Sequence, residues 1–166
     1  MTPFVLMKRT RQRAARVDKR ARAGIVIQSL AYCLLWQWDF WNHPPAVWRM
    51  ALSGLSFALG VLLVWSAIRA LGRQWRLDAG LNPDHELVRS GPYRVVRHPI
   101  YASMLCMLCG TGLMVAPLPL FAASLAIFLV GTEIRVRVED SLLASHFGGE
   151  FLTYQADVAA YVPFVR

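Results

Sequence analysis

Two clusters of polar side chains in this 166-residue chain lie at the edges of apolar stretches. The first is residues 97–101 (Arg-His-Pro-Ile-Tyr), where Pro99 suits the first position of a helix because proline lacks the N–H that a helix start leaves unbonded. Such a start is an anion site. In the second cluster, Arg135 and Glu139 are four residues apart and share one face of a helix. Together the clusters predict a binding site, or alternatively the anchoring of helix ends at a membrane surface.

The composition excludes a disordered chain and argues against a soluble one. Hydrophobic residues make up 56% and the mean hydropathy is +0.39. Charged residues are only 17%, whereas soluble domains have about 25%. The three cysteines cannot form a disulfide framework, and Cys106-x-x-Cys109 lies in an apolar stretch without a second pair, so we expect no metal site. A small polytopic membrane protein remains.

Four apolar stretches predict an all-α fold with about four transmembrane helices. The intervening links at 42–46 and 116–119 contain prolines and make tight turns. A long polar segment, 72–97, separates the second span from the third, and a mostly polar tail follows the fourth. The predicted spans are residues 23–41, 47–71, 99–115 and 118–134.

The distribution of basic residues predicts the orientation. Eight of the 18 Lys and Arg residues lie in the first 22 positions, the 72–97 segment is rich in Arg, and the two short links contain neither. By the positive-inside rule, both termini and the 72–97 segment are cytoplasmic, and the chain is integral to a prokaryotic inner membrane. The N-terminal segment lacks interleaved aromatic residues and joins an apolar span, so we expect it to contact anionic lipids and not nucleic acid.

The predicted topology brings the two polar clusters to the same membrane depth. The 72–97 segment contains apolar residues among its charges, and Gly91-Pro92 predicts a turn in it. A cytoplasmic site formed by this segment and the C-terminal segment follows. The predicted divisions are a basic segment (1–22), a two-helix transmembrane hairpin (23–71) and a core (72–164) of loop, two transmembrane helices and a C-terminal helix.

Three segments of this core resemble the isoprenylcysteine carboxyl methyltransferases and their relatives, the phospholipid methyltransferases. They are residues 85–93 (HELVRSGPY), residues 94–101 (RVVRHPIY) and residues 135–154, which contain Arg135-x-x-x-Glu139-Asp140 and Phe147-Gly148-x-Glu150. The resemblance covers residues 69–164, and the first two spans resemble the family only in being hydrophobic. It departs from the common pattern at Asp140, where glutamate is usual, and at Asp78, so we transfer no cofactor contact to Asp78.

The resemblance implies a methyltransferase core that binds S-adenosyl-L-methionine at the cytoplasmic face. By position, Arg135 would hold the methyl acceptor, a lipophilic or small molecule with a carboxylate, amine or thiol. A carboxylate needs no general base, whereas an amine or thiol would have to lose a proton. The residues that match the cofactor pocket are His85, Glu86, Leu87, Val88, Tyr93, His98, Pro99, Ile100, Tyr101 and Glu139.

Two other functions fit parts of the same pattern. Membrane sterol reductases, which use NADPH, resemble this family in their C-terminal part, although the chain is short for that class and has no feature suited to a 2′-phosphate beyond generic Arg. A membrane scaffold or lipid-binding protein would keep the pocket without turnover. Cofactor binding separates the three functions.

Overall fold

The computed structural model describes residues 19–36, 44–72 and 86–163. Within these ranges the chain forms five α-helices, one 3-10 turn and no strand, so the all-α prediction is confirmed there. Most of the basic segment 1–22, the link at 37–43 and residues 73–85, including His85, lie outside the description. The elements are α1 (Lys19–Leu35), α2 (Val47–Leu71), the 3-10 turn (Gly91–Arg94), α3 (Pro99–Val115), α4 (Leu118–Phe147) and α5 (Gly149–Asp157).

Prolines and glycines set most of the helix ends. Pro99 is the first residue of α3 and Pro117 precedes α4, as expected for a residue without an N–H. Gly148, with φ of +57°, ends α4 in a conformation that a side chain would oppose. α2 and α3 have the predicted bounds, whereas α4 continues past residue 134, the predicted end of its span.

Two of the described helices, α2 and α4, are long and apolar enough to cross a membrane. α4 has 30 residues and is therefore about 45 Å long, which exceeds the hydrocarbon core of about 30 Å. Its last turns can therefore project beyond a bilayer. α3 is apolar but shorter, and the four-span topology stays a prediction. Large apolar side chains of α2 are exposed, among them Leu55, Leu62 and Trp65.

The helices pack in two main pairs. α1 packs against α4 and α2 packs against α3, while α3 also contacts α4. Each of the first two helices thus packs on a helix of the C-terminal half. A buried apolar cluster joins α1, α3 and α4 and includes Leu35, Leu108 and Phe128.

Side chains of α2 bond the carbonyl groups at the end of α3. Arg49 donates to Gly112 O at 3.2 Å and also to Ala116 O, and Ser53 donates to Gly110 O at 2.8 Å. A cation near the last carbonyl groups of a helix is favourable, because the helix dipole is negative at that end. These bonds tie the α2–α3 pair together at the end remote from residue 99.

Glycines bring α1 and α4 into backbone contact. A Cβ atom on Gly24 would lie 2.5 Å from Arg135 Cγ and 2.8 Å from the carbonyl oxygen of Gly131. A Cβ atom on Gly131 would lie 2.9 Å from the carbonyl oxygen of Gly24. The backbone oxygens cannot move away unless the helices separate, so this crossing requires both glycines.

We predict that Gly24→Ala lowers the free energy of unfolding by about 1–3 kcal/mol, because the added methyl group forces α1 away from α4. Gly54→Ala is the matched control, since a Cβ atom there meets nothing within 4 Å and alanine favours a helix by about 0.5–1 kcal/mol. Thermal unfolding in detergent measures the stability of both variants. Equal stability of the two variants would contradict the backbone contact.

Candidate active site

The start of α3 meets the C-terminal half of α4 in a cluster of charged and aromatic side chains. The Tyr101 hydroxyl donates a hydrogen bond to Oε1 of Glu139, and His98 Nδ1 lies 3.4 Å from the other oxygen, Oε2. Arg135 Nη2 lies 3.9 Å from Oε1 of the same carboxylate. Three residues from the two predicted clusters therefore converge on the Glu139 carboxylate.

The Tyr101 ring is packed between polar neighbours. The guanidinium carbon of Arg135 lies 4.8 Å from the centroid of this ring, which is within range of a cation–π contact. The His98 ring lies near it too, with centroids 5.6 Å apart and planes inclined by 30°. Tyr101 and His98 are both buried, so these contacts fix the orientation of their rings.

Asp140, next to Glu139, joins a different set of groups. Its Oδ1 lies 2.8 Å from His98 Nε2, and its Oδ2 accepts hydrogen bonds from Arg97 Nη2 and Gln155 Nε2, each at 3.0 Å. Arg97 also donates from Nη1 to the carbonyl oxygens of Gln155, at 3.1 Å, and Val158. We call Asp140, Arg97, His98 and Gln155 the Asp140 clasp.

Backbone bonds extend the clasp to the tail of the chain. The amide nitrogen atoms of Arg97 and His98 donate to the carbonyl oxygens of Ala159 and Ala160, both at 2.8 Å. Val96 and Ala159 form an isolated parallel bridge. The segment after α5 therefore lies alongside the residues that lead into α3.

His98 is placed between two carboxylates. Burial alone would lower its pKa, but hydrogen bonds to Asp140 and Glu139 and their negative charges raise it more, so the pKa of His98 lies above its usual value. The charged imidazolium is thereby favoured. As a cation it can donate from both ring nitrogens, one to each carboxylate.

The 3-10 turn holds Tyr93 beside the cluster, and Gly91 within it has φ of +60°, which confirms the turn predicted at Gly91-Pro92. Tyr93 is buried, and the Tyr154 hydroxyl donates to its carbonyl oxygen at 2.6 Å. Burial, followed by the charges of Tyr154 and Glu139, raises the pKa of the Tyr93 phenol. This tyrosine therefore stays neutral and close to the Glu139 carboxylate.

The other residues assigned to the cofactor by resemblance surround this cluster in the sequence. Pro99 is buried and Ile100 half-buried in the first turn of α3, while Leu87 and Val88 are half-buried in the extended segment before the 3-10 turn. Glu86 is exposed. Contacts of these residues with a cofactor stay predictions, and His85 lies outside the described residues.

Gln28 of α1 is a member of the site that we did not predict. Its side chain is buried, accepts a hydrogen bond from Arg135 Nη1 at 3.2 Å and donates to Thr132 Oγ1 at 2.8 Å. The signal available in the sequence was an amide side chain in the middle of an apolar span, where polar residues are costly.

An open apolar groove of about 430 Å³ lies on another face of α4. Two of its lining residues, Glu133 and Arg137, are each two positions from Arg135 and so lie about 200° around the helix from it. This groove is thus separate from the charged cluster. Its other lining residues are Leu129, Val130, Ile134 and Tyr161.

Fold and site together define an all-α protein with membrane-type helices and a charged, aromatic cluster at the ends of α3 and α4. The family model for phospholipid methyltransferase matches residues 48–150, and the chain belongs to this family. The predicted resemblance to these methyltransferases and to isoprenylcysteine methyltransferases is confirmed. The match includes α3, α4, all of α2 except its first residue, and the residues of the charged cluster other than Gln28 and Gln155.

Curated relatives come from bacteria, insects and plants. The chain is 32% identical over 127 residues to the cobalt-zinc-cadmium resistance protein CzcN of Cupriavidus metallidurans, covering 76% of this chain and 54% of the relative. It is 33% identical over 111 residues to protein-S-isoprenylcysteine O-methyltransferase of Tribolium castaneum, covering 65% of this chain and 39% of the relative. It is 30% identical over 123 residues to protein-S-isoprenylcysteine O-methyltransferase B of Arabidopsis thaliana, covering 72% of this chain and 62% of the relative. The chain spans about half the length of the curated relatives it matches.

We predict that Asp140→Asn lowers the free energy of unfolding by about 3–5 kcal/mol, because Arg97 and His98 would keep buried positive charges without their carboxylate. Glu133→Gln is the matched control. It removes a carboxylate from the same helix, but the Glu133–Arg137 pair is exposed, and such pairs contribute about 0.3–0.5 kcal/mol. Thermal or denaturant unfolding in detergent compares the two, and similar losses would contradict the role of the clasp.

Proposed function

We propose that this protein is an integral membrane methyltransferase that uses S-adenosyl-L-methionine and acts on a lipophilic or small acceptor at the cytoplasmic face. The observation that carries the proposal is the convergence of His98, Tyr101 and Arg135 on the Glu139 carboxylate. All four residues are assigned to the site by the resemblance, and all lie within the stretch that matches the family.

The residues of the cluster fit the chemistry of this cofactor. The Glu139 side chain is 24% exposed, and a carboxylate can accept two hydrogen bonds from a ribose diol. The start of α3 offers unbonded N–H groups to the methionine carboxylate, and half-buried Leu87 and Val88 offer apolar surface to the adenine ring.

Arg135 is suited to hold a carboxylate of the acceptor. Its Nε atom is buried and has no hydrogen-bond partner among the residues that the structure describes. The guanidinium group has five donors in a planar fork that matches a carboxylate. In this proposal Arg135 orients the acceptor while the surrounding apolar helices exclude water.

The protonation states within the cluster favour a carboxylate acceptor over an amine or a thiol. S-adenosyl-L-methionine supplies the electrophilic methyl group when it is bound. The two carboxylate partners of His98 raise its pKa, so this imidazole favours its charged form and is not well placed to take a proton. A carboxylate is already deprotonated at neutral pH and needs no base. The relatives named isoprenylcysteine O-methyltransferases support this choice.

The proposed location in a lipid bilayer is supported by the apolar surface and the length of the helices. The exposed apolar side chains of α2 and the length of α4 suit a bilayer. The charged cluster lies at the end of α4 that carries Arg135 and Arg137, and basic residues favour the cytoplasmic side. Both termini would then be cytoplasmic, in a prokaryotic inner membrane.

We predict that S-adenosylhomocysteine binds the detergent-solubilised protein with micromolar affinity, and that Glu139→Gln weakens binding at least tenfold, since a hydrogen bond to a charged group contributes about 1.5–3 kcal/mol. Glu133→Gln, on another face of α4, should leave the affinity unchanged. Isothermal titration calorimetry measures the Kd of the wild-type protein and of the two variants, with NADPH as a parallel ligand.

The outcomes of this titration separate the candidate functions. Binding of S-adenosylhomocysteine that depends on Glu139 supports the methyltransferase. Binding of NADPH alone would replace it with a function like that of the sterol reductases. Binding of neither ligand would leave a non-catalytic scaffold or lipid-binding protein.

A further inference from the structure

The helix α1 lies outside the stretch that matches the family, yet it reaches the charged cluster. The family match begins at residue 48, whereas α1 is Lys19–Leu35. The contact of Gly24 with Gly131 brings the two helix backbones together, and a Cβ atom on Gly131 would lie 3.0 Å from the backbone nitrogen of Gln28. Gln28 is four residues, or about one turn, beyond Gly24. The crossing therefore sets Gln28 against α4 near Arg135.

Both the nitrogen and the oxygen of the Gln28 amide form hydrogen bonds with side chains of α4. Its nitrogen donates to Thr132 and its oxygen accepts from Arg135. Gln28 is 2% exposed and Thr132 is fully buried. An amide at such a position requires these bonds, because a buried polar group without partners is strongly unfavourable. The bond to Thr132 in turn fixes which way the amide oxygen points.

Arg135 is held by three different contacts that leave part of it unbonded. Gln28 Oε1 accepts a hydrogen bond from it, the Tyr101 ring lies against its guanidinium group, and Glu139 is close to Nη2. Because Gly24 has no side chain, the Cγ atom of Arg135 has room beside α1. Nε is buried without a partner among the described residues. The guanidinium group is thus fixed in direction and keeps donor capacity.

We propose that Gln28 is a positioning residue, which holds the Arg135 guanidinium group in the orientation that receives the acceptor carboxylate. The inference rests on the proposed function, in which Arg135 contacts the acceptor. It adds α1 to the functional unit of the chain. A leucine at position 28 would fill similar space, so Gln28→Leu removes the hydrogen bond to Arg135 while it keeps an apolar contact between α1 and α4.

The first test separates binding of the acceptor from binding of the cofactor. With N-acetyl-S-farnesylcysteine as acceptor, Gln28→Leu should raise KM at least tenfold, the loss expected from one hydrogen bond to a charged group. The Kd for S-adenosylhomocysteine should stay within about twofold, since the side-chain hydrogen bonds of Gln28 go to Thr132 and Arg135 and not to the proposed cofactor groups. Gln28→Glu keeps an oxygen for Arg135 and should restore most of the lost kcat/KM.

Ser124→Ala is the matched control. Ser124 is fully buried on the same face of α4 and donates to the carbonyl oxygen of Ala31 in α1. The substitution therefore also removes one hydrogen bond between α1 and α4. Ser124 lies 11 residues from Arg135, about 16 Å along the helix. KM should be unchanged in this variant, and an equal rise in both variants would overturn the proposal.

The second test does not depend on turnover. The Nε–Hε signal of Arg135 in a proton–nitrogen NMR spectrum, assigned by its loss in Arg135→Lys, reports the environment of the guanidinium group. Gln28→Leu should shift or broaden this signal, and Ser124→Ala should leave it in place. If Gln28→Leu fails to fold, Thr132→Val, which removes the other partner of Gln28, should produce a smaller shift.

The two tests distinguish failure of the inference from failure of the proposed function. Loss of S-adenosylhomocysteine binding and turnover in the wild-type protein would reject the methyltransferase, and with it the role toward an acceptor. The NMR test would still decide whether Gln28 orients Arg135. An unchanged Arg135 signal in Gln28→Leu, or in Thr132→Val if that variant must be used, would overturn the inference itself.

Discussion

The carboxylate of Asp140 links three parts of the chain that the sequence keeps far apart. It bonds Arg97 and His98, which lie 43 and 42 residues before it, and Gln155, which lies 15 residues after it. The helix α4, the start of α3 and the helix α5 therefore meet at one buried anion. Arg97 strengthens the junction through the carbonyl oxygens of Gln155 in α5 and of Val158 directly after it. A change in this one carboxylate would release all three elements.

Two consecutive acidic residues in the C-terminal half of α4, Glu139 and Asp140, contact different groups. Neighbouring residues point about 100° apart on a helix, so Asp140 faces α5 while Glu139 faces Tyr101 and Arg135. His98 contacts both acids. The structural junction and the proposed cofactor site thus share one imidazole ring, and stability and function are coupled there.

Local signals predicted the bounds of α2 and α3, because prolines and glycines act within a few residues. The first helix was predicted at 23–41, whereas α1 is Lys19–Leu35. Pro99, for example, starts α3 where its missing N–H predicts. The meeting of the two polar clusters also followed from the predicted topology, in which the third span starts and the fourth ends at the same membrane depth. The extension of α4 to Phe147 was anticipated only as a shared face of Arg135 and Glu139.

Contacts between distant segments escaped prediction. Gln28 and Arg135 are 107 residues apart, and no pattern along the chain specifies which face of α1 meets α4. The glycine contact that settles this register involves Gly24 and Gly131, and small residues in apolar spans have many other uses. The role of Arg97 was also missed, because it depends on the carbonyl oxygens of Gln155, in the last turn of α5, and of Val158, and no local pattern places these near Arg97.

The central claim is that S-adenosyl-L-methionine binds where α3 begins beside α4, and hydrogen–deuterium exchange tests it most directly. The protein would be labelled in detergent with and without saturating S-adenosylhomocysteine. The account predicts slower exchange at residues 86–101 and 135–147, with no change at residues 47–71. Unchanged exchange throughout, or protection confined to segments outside the charged cluster, would contradict the account.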